Sequence, residues 1–244
     1  MRKMLIVGGA NGIGLSIATE MAKMETCEKI YIVDKVKIDK KNEHIKIESF
    51  EYDLTNEDYT FFDRFTDIDS LMITAGFGKL SLFKNLDEQY IIDSFRVNTI
   101  SIIRLIKRFY NKIDSSQDFY CGVMVSIAGF MSSPFFSVYG STKAALKIFI
   151  ESVNVELEKS GTSNRILNVS PGSIKGTSFD KGETMLDITR PLALEIICKL
   201  NQKCDLFIPE YDEIFKNVLN RYHEDFRTEG LHSYDYKLNS GRIR

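Results

Sequence analysis

Leu5-Ile-Val-Gly8-Gly9-Ala-Asn11-Gly12-Ile13-Gly14-Leu-Ser-Ile17 is the stretch that decides the fold of this chain. The apolar run Met4–Val7 leads straight into four glycines within seven residues, and a helical pattern follows over Gly12–Met24. The strict GxGxxG spacing fails, because Ile17 stands where its third glycine belongs; the spacing present is GxxxGxG. The physical requirement is the same in both. Glycines allow a tight turn and a close backbone approach, and the following helix offers its free N–H groups to a pyrophosphate. So dense a glycine cluster between a strand and a helix predicts a nucleotide site.

The same strand-then-helix rhythm continues outward from this turn. Short runs rich in Val and Ile at Met4–Val7, Ile30–Val33, Ile45–Phe50, Leu71–Thr74, Gly122–Ser126, Ile166–Val169 and Leu206–Ile208 read as strands. They lack period-two alternation, as expected for a parallel sheet covered on both faces. Helical patterns lie between them at Gly12–Met24, Asn56–Phe65, Asp87–Asn111, Tyr139–Ser160 and Pro191–Asn201, with a further one at Tyr211–Tyr222. The expected fold is α/β: a doubly wound, Rossmann-like parallel sheet of about seven strands with helices on both faces. With no repeat, low-complexity tract or Pro/Gly-rich linker, residues 1–244 read as one dinucleotide-binding and catalytic domain. The polar tail at 226–244 is expected to be mobile or to contact another subunit.

Composition narrows the function. Hydrophobic residues make up 43% and charged residues 27%, which suits a folded protein with a sizeable core. The net charge of −2 argues against a nucleic-acid or membrane-surface partner. The basic start Met1-Arg-Lys precedes an apolar stretch too short for a signal peptide, and no run is long enough to span a bilayer. Cys27, Cys121, Cys198 and Cys204 are scattered and read as reduced thiols, so a cytoplasmic location is expected. His44, His223 and His232 are far apart, and no metal is expected.

Two further clusters carry chemistry. Asp34 closes the second strand about twenty residues after the glycines, where an acid binds adenosine ribose hydroxyls and repels a 2′-phosphate. This favours NAD. The neighbouring Lys35 could pair with that phosphate, so NADP stays as the lesser alternative. Downstream, Tyr139-Gly-Ser-Thr-Lys143 opens a helix, and residues four apart share a face. A tyrosine with a pKa near about 10 is a poor proton shuttle at neutral pH unless a nearby cation favours the phenolate. Ser126 ends the preceding strand at the same sheet edge, where its hydroxyl can bond a substrate oxygen.

These motifs, in this order, resemble the short-chain dehydrogenase/reductase family from residue 1 to about residue 210. Gly8-x-x-x-Gly12-Ile13-Gly14, with Asn11 inside it, resembles the family's cofactor turn; Val7 stands where a threonine is usual. Asp53-Leu54 resembles the adenine-contacting pair, and Thr74-Ala75-Gly76 resembles the family's Asn-Asn-Ala-Gly with both asparagines replaced. Asn98, Ser126, Tyr139 and Lys143 match its catalytic tetrad. Pro171-Gly172-Ser-Ile174-Lys-Gly-Thr177 resembles the loop that grips the nicotinamide carboxamide, with its threonine one residue late. The resemblance implies hydride transfer between a nicotinamide and a small alcohol or ketone. Tyr139 is then acid and base, Ser126 orients the substrate, Lys143 lowers the Tyr139 pKa, and Asn98 holds a water.

The short segment Ser178–Asp187 before the next helix implies an open site unsuited to a large steroid-like ligand. A homodimer or homotetramer is implied, built on the helices Asp87–Asn111 and Tyr139–Ser160, with Phe95, Ile102 and Phe149 either on that interface or in the core. Two alternatives stay open: an NADP-dependent ketoreductase of lipid or polyketide assembly, and a non-catalytic nucleotide sensor on the same scaffold.

Overall fold

Alternate residues of the first strand point into different cores, and this sets the architecture. In β1 (Lys3–Val7), Met4 and Ile6 join one buried cluster while Leu5 and Val7 join the other. The computed structural model describes residues 1–177 and 184–240. Seven parallel strands run in the order β3-β2-β1-β4-β5-β6-β7. The others are β2 (Lys29–Asp34), β3 (Ile47–Glu51), β4 (Ser70–Ile73), β5 (Tyr120–Met124), β6 (Ile166–Val169) and β7 (Leu206–Phe207). The order reverses between β1 and β4, and a doubly wound sheet opens its ligand crevice at such a switch.

One face is covered by α1 (Gly12–Lys23) and α5 (Leu186–Asn201), which bury Ile17, Met21, Ile196 and Leu200. The other is covered by α3 (Ser101–Ile113) and α4 (Ser137–Ser160), which bury Leu105, Phe109, Leu146 and Leu157. On the central strands β1, β4, β5 and β6 both faces are apolar and almost wholly buried, which explains their Val/Ile-rich runs. Ile102 is a fully buried member of that second core, whereas Phe95 and Phe149 are half-buried.

Four elements differ from the sequence expectation. The helix expected over Asn56–Phe65 is only a 3-10 turn at Thr60–Arg64. Asp53 and Asp58 each accept backbone N–H groups two residues on, at Thr55 and Thr60, and these local turns outcompete the helix. The single helix expected over Asp87–Asn111 is two, α2 (Glu88–Phe95) and α3, joined by a π-turn at Arg96–Ile100. α5 starts at Leu186, five residues before Pro191, which is carried inside the helix at its sixth position and leaves the Asp187 carbonyl without its i→i−4 donor. After a π-turn at Tyr211–Phe215 come α6 (Lys216–Glu224) and α7 (Phe226–Asn239).

Within the tail expected to be mobile or to contact another subunit, the described residues 226–239 form a helix that packs on its own chain. Asp225 caps α7, and Glu229, almost fully buried, pairs with Arg221 of α6. Residues 241–244 lie outside the described residues. No described helix is long and apolar enough to cross a membrane.

Candidate active site

The glycine turn is held by packing as much as by conformation. Gly8 has φ +90, and a Cβ there would lie 2.3 Å from the Ala75 nitrogen. A Cβ on Gly14 would lie 2.4 Å from the Thr74 hydroxyl oxygen. Thr74 donates that hydroxyl to the Gly8 carbonyl at 2.7 Å, and the Thr74 and Ala75 N–H groups both reach the Val7 carbonyl. Gly12 differs: its φ is +55, but the nearest atoms to a built Cβ belong to Thr177 at 3.8 Å. Asn11 sits at the N-cap of α1 with no side-chain cap bond, and Ile13 is buried behind the turn. The Gly12 N–H is met by the Thr184 hydroxyl at 2.8 Å, a contact that sequence reasoning missed.

Asp34, at the end of β2, accepts the Ala10 N–H at 3.0 Å, so its carboxylate is fixed against the glycine turn. Lys35 beside it is exposed. Asp53 accepts both the N–H and the hydroxyl of Thr55, and the Leu54 carbonyl accepts the Tyr59 hydroxyl. Both residues of that pair thus have structural work of their own.

Asn98, Gly76 and Lys143 converge. A Cβ on Gly76 would lie 3.2 Å from Asn98 Oδ1 and 3.4 Å from Lys143 Nζ. The π-turn aims Asn98 inward, where it is fully buried and pairs with both backbone groups of Phe77, accepting the N–H at 2.9 Å and donating to the carbonyl at 2.8 Å. Its amide also reaches the Thr142 hydroxyl at 3.3 Å.

Ser126 follows β5 and caps the turn Ile127–Gly129, its hydroxyl accepting the Ala128 N–H. The start of α4 crosses that turn closely. A Cβ on Gly129 would lie 2.8 Å from the Lys143 carbonyl carbon, and one on Gly140 would lie 2.9 Å from the Ala128 oxygen. These two glycines, not singled out in the sequence, let Tyr139 reach Ser126. Tyr139 is buried and hydrogen-bonded with Ser126. Burial holds its hydroxyl up at about 12, the Ser126 bond opposes the rise, and Tyr90 of α2 adds to it.

Lys143 Nζ lies 5.7 Å from the Tyr139 ring centre and donates to the Met124 carbonyl at 2.9 Å. Burial pushes this amine down to about 7. In this arrangement burial governs both groups, and the lowering of Tyr139 expected from a nearby ammonium is not expressed.

The loop after β6 packs against the turn at Ile127 and on the α1–α5 core. The Pro171 carbonyl accepts the Ile127 N–H at 3.0 Å, Thr177 donates to the Ile174 carbonyl at 2.9 Å, and Ile174 packs on the α1–α5 core. A Cβ on Gly172 would lie 2.7 Å from the ring of Phe215. The tetrad positions and the glycine turn therefore share the carboxyl edge of one sheet. Residues 178–183 of the expected cover lie outside the described residues.

Residues 2–185 match the family model for short chain dehydrogenases. The chain belongs to the short-chain dehydrogenase family. It is similar to an uncharacterised oxidoreductase, TDA5, of Saccharomyces cerevisiae, with 28% identity over 139 residues. That match covers 53% of this chain and 42% of the yeast protein. Among solved structures, the fold is similar to a bulky-bulky ketone specific alcohol dehydrogenase from Comamonas testosteroni, with TM-score 0.73, 21% identity and 94% of each chain covered. It is also similar to ElxO with NADP bound, with TM-score 0.69, 20% identity, and 86% of this chain and 98% of the other covered.

Proposed function

We propose that this chain is a nicotinamide-dinucleotide-dependent oxidoreductase that interconverts a small alcohol and its ketone, with NAD preferred. The meeting of Ser126, Tyr139 and Lys143 beside the glycine turn carries this reading. The residues present fit a dinucleotide: no Asn11 side chain caps the α1 terminus, a Cβ on Gly12 would meet only Thr177 at 3.8 Å, and the Gly12 N–H is held only by the exchangeable hydroxyl of Thr184.

Gly8, Asn11, Gly12, Ile13 and Gly14 would hold the pyrophosphate, Asp34 and Lys35 the adenosine ribose, and Asp53 and Leu54 the adenine. Ala75, Gly76, Pro171, Gly172, Ile174 and Thr177, with Tyr139 and Lys143, would hold the nicotinamide end. When bound, the nicotinamide supplies the hydride acceptor or donor. Tyr139 gives or takes the proton at the substrate oxygen, and Ser126 orients that oxygen. Lys143 would bond the nicotinamide ribose beside the phenol, and Asn98 would hold a water that links Lys143 to solvent.

The fixed carboxylate of Asp34 supports NAD. The exposed Lys35 and the likeness to NADP-bound ElxO favour the second reading, an NADP-dependent ketoreductase. Residues 1–244 act as one unit in this reading. The exposed side chains of Ile100, Ile148 and Val155 support a homo-oligomer, and four free thiols support a cytoplasmic setting.

The test is Tyr139→Phe against a panel of ketones and secondary alcohols, followed at the nicotinamide absorbance. Loss of turnover with NADH still bound is expected, by about 10²-fold or more. Near-full turnover in the variant would sink the assignment.

A further inference from the structure

The segment between Ser126 and Tyr139 carries unusual strain for a non-glycine residue. Phe135 is buried and has φ +66, the left-handed region that a bulky side chain avoids. Such a conformation persists only where surrounding contacts enforce it.

The enforcing contacts come from three places: the turn itself, where the Phe136 N–H reaches the Ser133 carbonyl at 2.9 Å, Ser81, and α7. The Phe135 carbonyl accepts the Ser81 N–H at 2.9 Å. The rest come from α7. The rings of Phe135 and Tyr234 lie 4.6 Å apart with planes tilted by 34°. Lys237 donates to the Ser133 hydroxyl at 2.6 Å and to the Pro134 carbonyl at 2.9 Å, and its ammonium lies 5.5 Å from the centre of the Phe136 ring. Phe136 in turn lies 5.1 Å from the Tyr139 ring. The C-terminal segment also braces the opposite wall, where Phe215 packs on Gly172. Phe215, Tyr234 and Lys237 lie beyond residue 185, where the match to the family model ends.

We propose that α7 is a positioning element for Tyr139: Tyr234 and Lys237 hold residues 133–136 so that Phe136 fixes the phenol ring opposite Ser126. The inference rests on the reading of Tyr139 as the acid–base residue. It adds two positioning residues, Tyr234 and Lys237, neither of which touches the reacting atoms. Stacking needs only the ring of Tyr234, whereas the Lys237 contacts need its ammonium.

Fluorine NMR of the full chain labelled with 3-fluorotyrosine tests this without a known substrate. The Tyr139 resonance is identified by its loss in Tyr139→Phe. Tyr234→Ala and Lys237→Met should each shift and broaden that resonance and speed amide exchange over residues 130–136. Tyr234→Phe should restore the wild-type resonance, a rescue that general loosening of the fold would not show. NADH affinity, measured by nucleotide fluorescence, should stay within about twofold of wild type in all three, under about 0.5 kcal/mol. An unmoved Tyr139 resonance in Lys237→Met, or a shift that Tyr234→Phe does not reverse, overturns the proposal. If Tyr234→Ala does not fold, Lys237→Met and Tyr234→Phe decide it alone. Failure of the wild-type chain to bind NADH counts against the oxidoreductase reading and leaves the fluorine result standing on its own.

Discussion

Lys143→Met should change the pH dependence of stability in a defined window. The amine has an ordinary value of 10.5, and burial lowers it to about 7 in the folded chain. Between those values the folded state binds fewer protons than the unfolded state, so folding is penalised by the proton the unfolded chain takes up. Raising the pH through this window removes the penalty, and stability rises. For one site moving from 10.5 to about 7, linkage gives a gain of about 2 kcal/mol between pH 7 and pH 9. Methionine keeps the apolar stem and has no proton to exchange. Its loss of the Met124 hydrogen bond adds a constant of about 1 kcal/mol that does not vary with pH. Urea unfolding of both proteins at pH 7, 8 and 9 isolates the term, because every other group cancels in the difference. Wild type should gain about 2 kcal/mol more than the variant across that range. Parallel profiles would mean that Lys143 is charged and solvated in the fold, and the burial argument would fail.

Three shorter expectations follow from other parts of the molecule. Gly8→Ala forces a Cβ to 2.3 Å from the Ala75 nitrogen at a positive φ, and should cost more than about 3 kcal/mol in denaturant titration even without nucleotide. Asp34→Ala frees the Ala10 N–H and removes the acid beside Lys35; a stability loss of about 1–2 kcal/mol and a rise of about tenfold in NADP affinity relative to NAD are expected, read by thermal unfolding and fluorescence titration. Native-state thiol labelling should modify exposed Cys198 first and half-buried Cys204 next, leaving Cys27 and Cys121 protected; burial pushes both of these thiols up, Cys121 to about 12, and mass spectrometry of the labelled sites reads the order.

Strands, glycine turn and the Ser126–Tyr139–Lys143 set were legible because each rests on short-range rules: Val/Ile runs, strand-then-helix spacing and the four-residue helical repeat. The π-turn at Arg96–Ile100 was not, since the extra residue is stabilised by Asn98 bonding the backbone of Phe77, 21 positions away. The aromatic spacing of Tyr59, Phe61, Phe62 and Phe65 mimics a helix, yet these rings pack on one another around a 3-10 turn. α7 is not legible as a helix because its anchors are polar: Lys237 on Ser133, and Arg221 on Glu229. Its apolar residues Leu231, Tyr236 and Leu238 face outward. Hydrophobic periodicity cannot find such a helix.

The glycines of the first turn carry a lesson about ancestry. Gly8 and Gly14 are demanded by the atoms of Thr74 and Ala75, whether or not a nucleotide ever arrives. A descendant of this chain that had abandoned its coenzyme would still keep both, since folding alone would eliminate their replacements. Gly12 is different, because a Cβ there would make only an ordinary contact with Thr177, and its backbone angle is what resists. Drift at that one position, with Gly8 and Gly14 intact, is the signature to look for in a lineage that has retained the scaffold and let the chemistry go.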